Sequence, residues 1–122
     1  NKNKLKKFVK IIFVKNPYKY INMSDVFILS SKYEGLPNVL LEAAYLKKYI
    51  ISSNCKTGPK EIIKNYKYGE LYKLGNIDDL SSKLKKLSKK KLKSNKNKLT
   101  NLEVFDYKKN LKKYLDEIKK LV

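Results

Sequence analysis

In Ser30-Ser31-Lys32-Tyr33-Glu34-Gly35-Leu36-Pro37-Asn38-Val39-Leu40-Leu41-Glu42-Ala43-Ala44, two carboxylates stand with seven residues between them, and a glycine and a proline fall in the gap. The apolar run Val26-Phe27-Ile28-Leu29 leads in and predicts a strand buried on both faces. Pro37 suits the first position of a helix, where no intrahelical amide partner is required. The segment therefore predicts strand, glycine-containing loop and helix, with Glu34 in the loop and Glu42 one turn into the helix.

At about 100° per residue, Asn38, Glu42 and Tyr45 share one narrow stripe of that helix. Val39, Leu40, Ala43, Ala44 and Leu46 cover the other side, and Leu41 flanks the stripe. So apolar a helix is largely buried, and Glu42 then needs a partner or a solvent-lined pocket. Leu36, ahead of the proline, has no side chain to cap the first amides. The positive end of the helix is left to an anion or to sugar hydroxyls. The residues alone leave two readings level: Glu42 paired with a lysine and Glu34 merely solvated, or both acids open to a ligand.

Downstream, Tyr49-Ile50-Ile51-Ser52-Ser53 predicts a second short strand. Strand, helix, strand is a βαβ unit and requires a parallel sheet, with ligands beyond the carboxyl ends of its strands. The Glu34 loop and the Asn54–Gly58 loop both lie at that rim. Gly58-Pro59 followed by Glu61 reads as another helix start, in which Glu61 can simply stabilise its own helix. Tyr68-Gly69-Glu70-Leu71-Tyr72 predicts a short edge strand. Asn76 caps a helix from Ile77, with Asp78 and Asp79 at its positive end and Leu80, Leu84 and Leu87 as its buried stripe. Lysines cover the rest as a solvated face. Phe105, Leu111, Tyr114, Leu115 and Ile118 predict a final amphipathic helix. Upstream, Phe8-Val9-Lys10-Ile11-Ile12-Phe13 has the β-branched and aromatic content of a strand, Asn16-Pro17 is a turn signal, and Tyr18 to Met23 make a short helix.

The chain of 122 residues holds at most one domain, and its 42% hydrophobic content fits a globular core. No apolar run approaches the roughly 20 residues of a membrane span. One cysteine, Cys55, excludes an internal disulfide, and the absence of histidine excludes Ser-His or Cys-His catalysis within this chain. Cys55 reads as a small loop or core residue. The net charge of +19 suggests anionic partners. All 30 basic residues are lysine, however, and specific base reading relies on arginine. Codon bias accounts for much of the lysine, and looser attraction to anionic lipid headgroups or phosphorylated substrates is the better fit. Because the chain begins with Asn1, it is expected to be a piece of something longer.

Ser-x-x-Glu34-Gly-Leu-Pro-x-x-Leu-Leu-Glu42-Ala resembles the signature of the family-four retaining glycosyltransferases with the GT-B fold. Asn16-Pro17-Tyr18-Lys19-Tyr20-Ile21 with Ser24-Asp25-Val26-Phe27 is similar to the stretch before that signature, and Thr57-Gly58-Pro59-Lys60-Glu61-Ile62-Ile63 to the loop and helix after it. The resemblance runs from about Val9 to Leu87. It implies an α/β fold, a Rossmann-like parallel sheet flanked by helices, as the later part of a C-terminal GT-B domain. Residues 1–100 would form a partial nucleotide-sugar-binding domain, and 101–122 a C-terminal helix packing back on it. The short helix at Tyr18 would serve packing, with its tyrosines in the core.

The resemblance also implies chemistry. Glu42 would hold the ribose hydroxyls of a nucleotide-diphosphate sugar, most simply a UDP-sugar. Glu34 would act at the donor sugar as the catalytic carboxylate. The amides of Gly35, Leu36 and Asn38 would bind sugar hydroxyls or phosphate oxygens. Transfer of a hexose or N-acetylhexosamine to a glycan or lipid-linked acceptor would retain configuration and need neither metal nor cofactor. Such enzymes serve bacterial lipopolysaccharide or capsule synthesis, in the cytoplasm or peripherally at the inner face of the plasma membrane. The family's diphosphate-neutralising Arg and Lys and its acceptor-binding N-terminal domain have no counterpart in this chain, so the chain alone is expected to be inactive. The alternatives are a non-catalytic GT-B relative and a basic module for lipid or nucleic-acid surfaces.

Overall fold

The computed structural model describes residues 6–64, 67, 69–89, 106, 108–109, 111–112, 116 and 119–120. Among the described residues three strands form where apolar, β-branched or aromatic residues cluster: β1 (Val26–Leu29), β2 (Tyr49–Ser53) and β3 (Gly69–Tyr72). They make one parallel sheet in the order β1-β2-β3, with Phe27 beside Ile50 and Ile51 beside Glu70. The helices around the sheet are, among the described residues, α1 (Tyr18–Met23), α2 (Asn38–Tyr45), α3 (Pro59–Lys64) and α4 (Ile77–Lys89). The expected α/β architecture is thus present: a Rossmann-like parallel sheet flanked by helices.

Strand alternation divides the core in two. Phe27, Leu29 and Ile50 pack with Ile21 of α1, Leu40, Ala43 and Ala44 of α2, and Ile62 of α3. On the opposite face Val26, Tyr49, Ile51 and Tyr72 meet Leu80, Leu84 and Leu87 of α4. Central β2 is covered on both sides, so neighbouring Ile50 and Ile51 are both fully buried. The α4 stripe is the predicted one, and its cap is also as expected: Asn76 Oδ1 accepts the Asp79 amide at 2.9 Å.

Strand β1 is not buried on both faces as its apolar run suggested. It borders the sheet, and Ile28, on the α4 side of the sheet, is 41% exposed. The strand expected over Phe8–Phe13 is likewise corrected. A 3₁₀ turn spans Lys6–Phe8, the chain runs on without strand pairing, and Ile11 and Phe13 are 82% and 97% exposed. Strand propensity yields a strand only against a free sheet edge in register, and this segment lies on none. Of the expected final helix, Leu111 is described, helical and exposed, whereas Phe105, Tyr114, Leu115 and Ile118 lie outside the described residues.

Candidate active site

The parallel sheet brings the carboxyl ends of all strands to one rim, so the loops after β1 (Ser30–Pro37) and β2 (Asn54–Gly58) are neighbours. Ser53 Oγ donates to the Ser31 carbonyl at 2.6 Å, and Thr57 Oγ1 donates to the Glu34 carbonyl. Gly58 lies against Gly35. It adopts φ +84°, and a Cβ there would stand 2.0 Å from the Gly35 carbonyl oxygen and 2.5 Å from Pro37 Cδ. Only glycine allows that approach. The second loop thus buttresses the first.

Gly35 is the opposite case. A Cβ at Gly35 would meet nothing within 4 Å, so the backbone there faces open space. Leu36 and Asn38 are exposed, and the Glu34 side chain is half-buried. Among the described residues no hydrogen bond or ion pair engages the Glu34 carboxylate.

Pro37 is the N-cap rather than the first helical residue, and the helix runs Asn38–Tyr45. The carbonyl of Pro37 accepts the Leu40 amide at 2.9 Å, and no side chain caps the helix start. The helix is amphipathic in the predicted sense. Leu40, Ala43 and Ala44 are buried, Asn38 and Tyr45 are exposed, and Glu42 is half-exposed between them. At the other end Lys47 takes φ +57°, the Lys47 amide donates to Ala44 and the Lys48 amide to Ala43. This is a Schellman closure with lysine where glycine is usual.

Among the described residues no lysine pairs with Glu42. Its Oε1 accepts the Tyr18 hydroxyl at 3.3 Å, and the nearby carboxylate charge pushes the Tyr18 phenol above its ordinary value. The expectation that the α1 tyrosines lie in the core is overturned: Tyr18 is 47% exposed and Tyr20 44%. Only Ile21 of that helix is buried, because a short helix laid across α2 turns one residue per turn inward. Tyr18 is the site neighbour that sequence reasoning missed. Its signal was its place at the helix start just after Asn16-Pro17.

Residues 2–101 match the model of the family described as glycosyl transferases group 1. An uncharacterized glycosyltransferase, MJ1059, of Methanocaldococcus jannaschii is 51% identical over 49 residues, 40% of this chain and 12% of that protein. The lipopolysaccharide 1,6-galactosyltransferase of Salmonella typhimurium is 43% identical over 60 residues, 49% of this chain and 17% of its own. A Campylobacter jejuni enzyme, N-acetylgalactosamine-N,N'-diacetylbacillosaminyl-diphospho-undecaprenol 4-alpha-N-acetylgalactosaminyltransferase, is 30% identical over 73 residues, 60% of this chain and 20% of the enzyme. The chain spans a fifth or less of the length of these relatives. No solved structure matches it.

Proposed function

Because this chain belongs to the glycosyl transferases group 1 family, we propose that it is part of the donor domain of an enzyme that takes a nucleotide-diphosphate sugar, with UDP as the nucleotide. The observation that carries the proposal is the pairing of two half-buried acids, Glu34 and Glu42, with an uncapped helix start between them at the carboxyl rim of a parallel sheet. A carboxylate accepts well from vicinal ribose hydroxyls through charge-assisted bonds, which is the role of Glu42. Glu34, half a loop away, stabilises positive charge developing at the donor sugar during transfer with retention. The amides of Gly35 and Leu36, in the loop, and of Asn38, at the positive helix end, donate to the diphosphate or sugar hydroxyls.

The acceptor is a glycan or a lipid-linked saccharide, in keeping with the galactosyl and N-acetylgalactosaminyl transferases among the relatives. The sugar moved is a hexose or N-acetylhexosamine. Metal-free turnover belongs to the same proposal and predicts undiminished rates in a strong chelator. The charge of +19 supports peripheral contact with an anionic membrane at the cytoplasmic face.

A thermal-shift panel of nucleotide sugars on the intact enzyme tests the reading, since a true donor at 100 times its Kd stabilises by about 2.7 kcal/mol. Glu42→Ala is expected to cut that shift to roughly a third, and Glu34→Ala to keep it while lowering kcat. Wild-type binding and kinetics from both variants would refute the assignment.

A further inference from the structure

We infer that Tyr18 is a positioning residue for Glu42: its hydroxyl holds Oε1 of the carboxylate and leaves Oε2 to receive a hydroxyl of the bound donor. The inference rests on the donor-binding reading of Glu42 and adds to it a residue from a different helix. Four observations converge. The Tyr18 hydroxyl donates to Glu42 Oε1 at 3.3 Å, and Oε2 takes no hydrogen bond from a described residue. The Tyr18 backbone is itself fixed, because its amide donates to Asn16 Oδ1 at 3.0 Å. Helix α1 is anchored to α2 between its ends by Ile21, buried in one cluster with Leu40, Ala43 and Ala44. At the far end Lys48, just past α2, donates to the Asn22 carbonyl. The phenol therefore sits on a braced support rather than on a free side chain.

The physical consequence concerns entropy. A free glutamate side chain loses up to about 2 kcal/mol of rotamer freedom when a ligand orders it. A carboxylate already held by a phenol has met much of that cost before the donor arrives. Phenols hold carboxylates well at neutral pH because the donor is uncharged and does not compete with the ligand for the negative charge. A lysine at the same place would neutralise the group that the ribose is to find. Tyr18 thus acts on the affinity for donor and not on the chemical step.

The test is Tyr18→Phe in the intact enzyme, beside Glu42→Ala, with initial rates measured against nucleotide-sugar concentration. Loss of one hydrogen bond to a charged group, exposed as this one is, is expected to raise KM about fivefold with kcat within about twofold. The melting temperature should hold, since only an exposed hydroxyl is removed. In the 122-residue chain carrying isotope-labelled tyrosine, Glu42→Gln is expected to move the Tyr18 phenol titration down toward the ordinary tyrosine value. Wild-type KM from Tyr18→Phe, while Glu42→Ala raises it, overturns the inference and spares the donor-binding reading. A parallel fall in kcat and melting temperature overturns it in favour of a packing role. If Glu42→Ala also leaves KM unchanged, the donor-binding reading fails first.

Discussion

On the β3–α4 flank of the sheet, Glu70 and Asp79 are half-buried and engaged by the protein itself. Lys83 Nζ stands 3.1 Å from Asp79 and 3.9 Å from Glu70, the Lys73 amide donates to Asp79 at 2.7 Å, and the Tyr49 hydroxyl donates to Glu70. On the β1–α2 flank, Glu34 and Glu42 are half-buried too, yet among the described residues no lysine pairs with either. In a chain with 30 lysines, pairing those acids would have been simple. The first flank uses its carboxylates to fasten a helix to a strand. The second leaves them without a lysine partner among the described residues, beside an uncapped helix end.

The effect that separates the flanks most directly is on donor affinity. Glu42→Ala should weaken donor binding by about 2 kcal/mol, roughly thirtyfold, by titration calorimetry on the intact enzyme. Asp79→Ala should leave that affinity unchanged and lower the melting temperature instead. Equal loss of affinity from both would erase the distinction.

The two glycines of the rim sharpen it next. Gly58→Ala forces a Cβ into the Gly35 carbonyl at a left-handed φ and should cost about 2–3 kcal/mol in a denaturant titration. Gly35→Ala fills open space, so stability should stay within about 0.5 kcal/mol while donor KM rises. A silent Gly35→Ala on both counts would mean that no ligand approaches the loop there.

Smaller effects appear in the pH dependence of stability, and they belong to the fastened flank. Asp79 is held below the ordinary carboxylate value by the Lys73 amide first and Lys83 second. The fold favours its ionised form, so its contribution is present at neutral pH and is lost as pH falls through the acid range below about 4. Tyr49 is pushed above the ordinary tyrosine value, by burial first and the Glu70 bond second. Its contribution is complete below about pH 10 and declines as pH rises beyond it. Melting curves across pH should lose the acid limb in Asp79→Asn and the alkaline limb in Tyr49→Phe. The smallest change expected is a gain. Lys47→Gly relieves a left-handed lysine at the end of α2 and should stabilise by about 0.5–1 kcal/mol, without altering donor affinity.

Local signals were sufficient for much of this molecule. Proline, glycine and asparagine at helix starts, apolar runs of strand length and the βαβ order foretold a parallel sheet with its loops on one rim, and Asn76 caps α4 as its position implied. These features depend on residues within a few positions of each other, so the chain order carries them. The motif around Glu34 and Glu42 was legible for the same reason. Exposure of Ile28 and the unpaired Phe8–Phe13 segment were not, because a strand's burial and pairing depend on which edges the rest of the sheet leaves open. Nor was the Tyr18 hydroxyl on Glu42, a contact across 24 positions that exists only once Ile21 has docked α1 on α2. Sequence alone determined the βαβ order and which acids stand at the rim. Tertiary packing decided which of those acids the protein engages itself, since hydrogen bonding reaches only a few ångströms and only folding brings distant residues that close.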